Sequence, residues 1–208
     1  MPRIKFCGMT NVDDVLAACA LGVDAIGLIF YAASPRAVTI EQAKKIIANL
    51  PPFVTTVGVF VNANAKEIHS TLAKVALDVL QFHGQEEAEF CQQFNKPFIK
   101  TIHIAGQKLA PFFTRYAMAQ GLLLDAYQPG VPGGTGISFN WDEIPRERPK
   151  PIILAGGLEP SNIARAIQTV NPYGVDVVSG IERERGKKDH AKMAEFVRQV
   201  RQAEAALN

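Results

Sequence analysis

Cysteine is scarce in this chain. There are three in 208 residues, Cys7, Cys19 and Cys91, an odd number at wide spacings. That excludes the disulfide framework of a small secreted domain and points to a reducing compartment, the cytoplasm. The four histidines, His69, His83, His103 and His190, show no metal-ligand spacing with one another or with cysteine, so no metal site is expected. An excess of charge is lacking too. A formal charge of +2 gives no field for holding nucleic acid or an anionic membrane. Basic residues cluster only at 183–188 and along the last helix, as on a solvated surface. No apolar run approaches the roughly 20 residues of a membrane span, and the N-terminus has no signal-peptide pattern. No GxGxxG follows the first apolar run and no GxxxxGK[ST] occurs anywhere, which argues against nucleotide-binding open sheets. With no Ser/Gly linker and no break in composition, residues 1–208 read as one domain.

What the chain does have is regular alternation. Apolar, β-rich runs begin near residues 4, 25, 56, 78, 98, 121, 152 and 175, and an amphipathic stretch follows each. In the first such stretch Val12, Val15, Leu16 and Cys19 recur at helical spacing. Asn11, Thr39, Asn64 and Ser161 are predicted N-caps, and helices are expected over 65–75, 86–94 and 108–119, as a short turn near 141–144, and from 189 onward. Strands that are apolar throughout are covered on both faces, as in parallel sheets. Eight strand–helix units predict an α/β, single-domain (β/α)8 TIM barrel, with short connections because the chain is brief for that fold.

In such a barrel the carboxyl ends of all strands face one mouth, where catalytic side chains sit. Cys7 ends the first strand, and Lys5 shares its face one layer below. A buried lysine needs a carboxylate partner, and Asp176 on the neighbouring last strand is the candidate. Asp125 ends a run of three leucines, where desolvation favours the neutral carboxyl that a general acid requires; a helix cap or loop hydrogen bond is the alternative. His83 shares a face with Gln81 and reads equally as a pocket residue or a structural histidine. Arg36, after Ser34-Pro35, is a candidate clamp for a carboxylate. Gly156-Gly157 and Ser179-Gly180 follow the last two strands, where barrel enzymes commonly bind phosphate through backbone N–H groups. The loop 129–136, rich in glycine, is either a lid or a plain connector.

These residues together resemble the phosphoribosylanthranilate isomerase family of tryptophan biosynthesis, over essentially the whole chain. The likeness runs through Lys5-Phe6-Cys7-Gly8-Met9-Thr10, Ser34-Pro35-Arg36, Gln81-Phe82-His83-Gly84, Leu123-Leu124-Asp125, Gly133-Gly134-Thr135-Gly136, Leu154-Ala155-Gly156-Gly157-Leu158 and Asp176-Val177-Val178-Ser179-Gly180-Ile181-Glu182. The resemblance implies a cofactor-free Amadori rearrangement of a sugar phosphate. Asp125 would be the general acid and Cys7 the general base. Arg36 would hold the anthranilate carboxylate, His83 and Asp176 would line the pocket, and Gly156, Gly157, Ser179 and Gly180 would hold the phosphate. Ala37, Asn140 and Val178 depart from the residues the family often has there. The implied enzyme is a cytoplasmic monomer or homodimer. Whether it also accepts the aminoimidazole carboxamide sugar phosphate of histidine synthesis depends on pocket width around Arg36 and Ala37. The rivals are another sugar-phosphate enzyme on the same scaffold, an epimerase or indole-3-glycerol-phosphate synthase, and a binding protein that has kept the barrel.

Overall fold

The computed structural model describes residues 2–104, 108–125, 141, 144, 145 and 147–206. Eight parallel strands close on themselves in sequence order: β1 (Arg3–Cys7), β2 (Ala25–Ile29), β3 (Thr55–Phe60), β4 (Val79–Phe82), β5 (Phe98–His103), β6 (Gly121–Asp125), β7 (Ile152–Ala155) and β8 (Gly174–Val177). The seam is closed by β8 pairing with β1, with Lys5 opposite Asp176. Seven helices are seen among the described residues: α1 (Val12–Ala20), α2 (Ile40–Ile47), α3 (Ala65–Leu72), α4 (Ala88–Gln92), α5 (Ala110–Arg115), α6 (Ile163–Val170) and α7 (His190–Ala205). A short hairpin, β9 (Glu182–Glu184) and β10 (Lys187–Lys188), lies between β8 and α7.

Strand alternation divides the interior in two. Ile4, Phe6, Ile26, Leu28, Phe60, Leu80, Phe82, Leu122, Leu124, Leu154, Val175 and Val177 join one apolar cluster with buried helix residues such as Val15, Ile46, Ile68, Ile167 and Phe196. The opposite parity fills the barrel and is partly polar: Lys5, Cys7, Gln81, Thr101 and Asp176 are buried there with Val57, Val59 and Leu123. The apolar layer drives closure, at about 25 cal/mol for each Å² removed from water. The polar parity reaches the carboxyl rim at Cys7 and Asp125.

Local chemistry sets the helix starts. Thr39 with Gln42, and Asn64 with Glu67, form reciprocal capping boxes, while Asn11 accepts from the Asp14 amide. The last helix begins at Asp189, whose carboxylate accepts from the amides of Ala191 and Lys192. Ser161 is not a cap. Helix α6 starts at Ile163, the Ser161 hydroxyl turns to Glu159, and the Asn162 side chain binds the Glu159 amide and the Gly157 carbonyl of the preceding loop. The helices expected over 65–75 and 108–119 are shorter than their patterns, since their last residues form turns that lead into the next strand. The turn expected near 141–144, and the whole loop 129–136, fall largely or wholly outside the described residues, as does Asn140.

Candidate active site at the barrel mouth

The base of the site is an ion pair. Lys5 Nζ lies 2.9 Å from Asp176 Oδ1, both side chains almost fully buried, as expected for neighbours across the seam. Burial opposes the Lys5 ammonium, but Asp176 and then Cys7 outweigh it, and the Lys5 pKa is raised. Cys7 stands one layer above. Burial pushes its thiol pKa up, opposed by the Lys5 ammonium and reinforced by Asp176. The thiol fits because residue 27 on β2 has no side chain: a Cβ there would lie 2.4 Å from Cys7 Sγ and 3.1 Å from its Cα.

The backbone around Cys7 is held by a residue that sequence reasoning missed. Lys188, from the hairpin, is buried, and its ammonium donates to the Cys7 carbonyl at 2.7 Å and the Val178 carbonyl at 2.9 Å. It also meets Glu182 Oε1 at 3.3 Å. Desolvation lowers the Lys188 pKa despite Glu182. Glu182 in turn grips Arg36 in a fork, Nε to Oε1 and Nη2 to Oε2, each at 2.7 Å. Burial opposes the Glu182 carboxylate, yet Arg36 and Lys188 hold its pKa below the ordinary value. Arg36, a candidate clamp by sequence, is therefore aimed by a carboxylate. A signal existed only in the alternation that turns Glu182 and Lys188 to one side of their hairpin.

Asp125 ends β6 and is buried. His83 follows β4, and its Nε2 is 3.3 Å from Asp125 Oδ2. The other imidazole nitrogen, Nδ1, faces Thr101 Oγ1 at 3.0 Å and the Gln81 amide at 3.1 Å. Gln81 is buried and its Oε1 has no hydrogen-bond partner among the described residues. Behind this group, Lys100 and Glu86 form a buried pair at 3.1 Å on the helix side of the sheet. Lys100 also donates to the Gly84 carbonyl at 2.6 Å, and Glu86 accepts from the amides of Asn62 and Gly84, so the turn after His83 is fixed from behind.

The two glycine loops meet. Gly156 and Gly157 have φ of 83° and 67°, left-handed values that glycine adopts without strain. Gly180 packs so closely that a Cβ on it would sit 2.0 Å from the Leu158 carbonyl oxygen, just beyond Gly157. Ser179 is exposed in a 3-10 turn, Ser179–Ile181. Cys7, His83, Asp125, Gly156, Gly157, Ser179 and Gly180 thus stand at or just beyond the carboxyl ends of their strands, Asp176 lies one layer below within β8, and Arg36 follows in the loop after β2.

A closed parallel barrel with a thiol and a carboxyl on its carboxyl-terminal rim defines a (β/α)8-barrel enzyme scaffold equipped for acid–base chemistry. The family model described as N-(5'phosphoribosyl)anthranilate (PRA) isomerase matches residues 4–199. An N-(5'-phosphoribosyl)anthranilate isomerase of Pseudomonas fluorescens is 52% identical over 206 residues, covering 99% of this chain and 98% of that protein. The crystal structure of phosphoribosyl anthranilate isomerase from Thermotoga maritima has a TM-score of 0.90 at 37% identity, over 97% of this chain and 100% of the other. A phosphoribosyl anthranilate isomerase structure in complex with reduced 1-(o-carboxyphenylamino)-1-deoxyribulose 5-phosphate has a TM-score of 0.86 at 35% identity, again over 97% and 100%. The chain belongs to the N-(5'-phosphoribosyl)anthranilate isomerase family.

Proposed function

We propose that this chain converts N-(5-phosphoribosyl)anthranilate to 1-(2-carboxyphenylamino)-1-deoxyribulose 5-phosphate by an Amadori rearrangement, with Asp125 as general acid and Cys7 as general base. The observation that carries the reading is the placement of Cys7 and Asp125 at the carboxyl ends of β1 and β6 in a chain that matches this family over residues 4–199. Asp125 gives its proton to the furanose ring oxygen, the C1–O bond breaks, and nitrogen's lone pair forms a C1=N iminium. Cys7 then takes the proton from C2, and the C2–H electrons pass towards the iminium to give an enolamine. Protonation at C1 and loss of the C2 hydroxyl proton yield the ketone. Acid–base chemistry of this kind needs no cofactor.

The thiol raises the one difficulty in this scheme, because burial pushes its pKa up. A thiolate is required of a base. The scheme resolves this by order of events: ring opening places a cation beside Cys7, and a nearby positive charge favours the thiolate. The base becomes competent once the acid has acted. Lys5 contributes in the same direction, although Asp176 already neutralises much of its charge.

Arg36 holds the anthranilate carboxylate. A guanidinium has five N–H donors, of which Glu182 takes one from Nε and one from Nη2, so the edge made by both Nη atoms still matches a carboxylate in two-point geometry. His83 and Asp176 line the pocket. The phosphate lies against the backbone of Gly156, Gly157, Ser179 and Gly180, where Asn162 orients the first loop through the Gly157 carbonyl. The enzyme acts in the cytoplasm as a monomer or homodimer, a state that sedimentation would read directly.

The test follows loss of phosphoribosylanthranilate fluorescence, with the labile substrate generated in situ, for wild type, Cys7→Ser and Asp125→Asn. Wild type turns over, and each variant falls by about 100-fold or more, the order of loss for a missing acid or base. A well-folded but inactive wild type would refute the substrate; loss in only one variant would reopen the roles.

A further inference from the structure

The spacing of histidines along the chain gives no metal set, yet the fold assembles one. His83 follows β4, His103 ends β5 and Asp125 ends β6, three adjacent strands, with His103 directly opposite Asp125 in the register. One ligand atom from each of the three lies within 4.8 Å of the other two. The His83 and His103 rings meet edge to face, with centroids 5.2 Å apart.

Each imidazole also has one nitrogen engaged behind the group. His103 Nε2 is 3.1 Å from the His83 carbonyl, an acceptor only, so Nε2 carries the proton and the lone pair falls on Nδ1. His83 Nδ1 is 3.0 Å from the Thr101 hydroxyl and 3.1 Å from the Gln81 amide nitrogen, so two polar groups orient the ring from behind and Nε2 is the atom beside Asp125. Metal-binding histidines are commonly oriented by such partners on the nitrogen away from the ion.

We infer that the mouth binds a divalent cation of Zn2+ type through His83, His103 and Asp125, and that this ion and the substrate exclude each other. Two imidazoles and one carboxylate suit zinc with an open fourth position. Tetrahedral zinc wants such ligands roughly 3.3 Å apart, already the His83–Asp125 separation. Adjustment of the exposed His103 side chain, at the expense of its bond to the His83 carbonyl, closes the remainder. Binding of the ion stands on geometry alone. The exclusion rests on Asp125 being the proton donor, since a carboxylate bound to zinc has no proton to give.

The experiment titrates Zn2+ into chelator-treated protein against a chromophoric zinc indicator, without substrate, and then measures turnover in zinc after indicator-free dialysis. One ion per chain is expected. His103→Ala should weaken it at least tenfold while turning over substrate as wild type does, and its turnover should resist the zinc concentration that halves wild-type activity. Thr101→Val should weaken zinc by about 10-fold or more through the lost imidazole support. Cys7→Ser should bind zinc as wild type does. Absence of saturable binding, or binding abolished by Cys7→Ser and untouched by His103→Ala, would overturn the site. Binding that responds to His103→Ala but leaves wild-type turnover unchanged would overturn the exclusion and count against Asp125 as the acid, whereas a wild type without turnover on this substrate would refute the functional reading and leave the metal site standing.

Discussion

Replacing Gly27 by alanine tests the site through a residue that performs no chemistry. The added methyl would lie 2.4 Å from Cys7 Sγ and 3.1 Å from both Cα and Cβ of Cys7. The sulfur is the end of a side chain and can swing away, but the two carbons belong to a strand paired with β2 in register, Cys7 opposite Gly27. Relief therefore comes from rotating the thiol off its rotamer together with a small shift of β1. Overpacking of this kind costs about 1–3 kcal/mol. For a chain of this size each kcal/mol moves Tm by about 2–4 °C, so a drop of roughly 2–12 °C is expected by calorimetry. The effect on catalysis should be larger than the effect on stability, since displacement of a reacting group by about 1 Å costs on the order of 100-fold in rate. Initial rates on phosphoribosylanthranilate supply the number. The double variant Gly27→Ala with Cys7→Ser isolates the cause: with the thiol already gone, the methyl should add little further loss of rate, although it still lowers Tm. A Gly27→Ala enzyme within a few-fold of wild-type kcat would refute the claim that this thiol position matters to the reaction.

Two further outcomes follow from the buried charges. Lys5→Met leaves Asp176 unpaired inside the barrel, which should cost about 3–5 kcal/mol in denaturant unfolding, and it removes a group that lowers the Cys7 pKa, so the pH profile of Cys7 alkylation should move to higher pH; an unmoved profile would show that Lys5 does not act on the thiol. Glu182 has its folded-state pKa depressed, so its contribution is present above the unfolded value of about 4.3 and is lost as pH falls through the lower folded value. Wild-type Tm should accordingly fall more steeply than that of Glu182→Gln as pH drops below about 4.3, and parallel curves would mean that the Arg36–Glu182 fork contributes nothing to stability.

The barrel was legible because its strands carry two codes at once. Ile4 and Phe6 face the helices while Lys5 and Cys7 face inward, and that alternation placed both the thiol and the buried ion pair. Closure made the Lys5–Asp176 pairing foreseeable, since the first and last strands of a barrel are neighbours. Caps were readable where the local sequence carries the whole motif, as at Thr39 with Gln42 and Asn64 with Glu67, and misread at Ser161, where the Asn162 amide is drawn to the preceding loop and the helix starts without a side-chain cap. Two groups stayed hidden for a topological reason. Lys188 and Glu182 lie in a hairpin whose return to the mouth nothing in the chain announces; Lys188 reads as part of the solvated basic cluster 183–188, and Glu182 only as the end of a family motif. His103 is 20 positions from His83 in sequence, a spacing with no ligand meaning until parallel strands stand side by side.

The three bonds of Lys188 also carry a statement about time. Its partners include the Cys7 carbonyl, separated from it by 181 positions, and Lys5 awaits Asp176 across 171. A ribosome emits the strand of Cys7 long before the residues that steady it. Through most of synthesis the nascent chain holds Lys5 with no carboxylate opposite it and a Cys7 carbonyl with no ammonium beneath it. The mouth of this barrel therefore cannot be complete until β8 and the hairpin that follows it have been made.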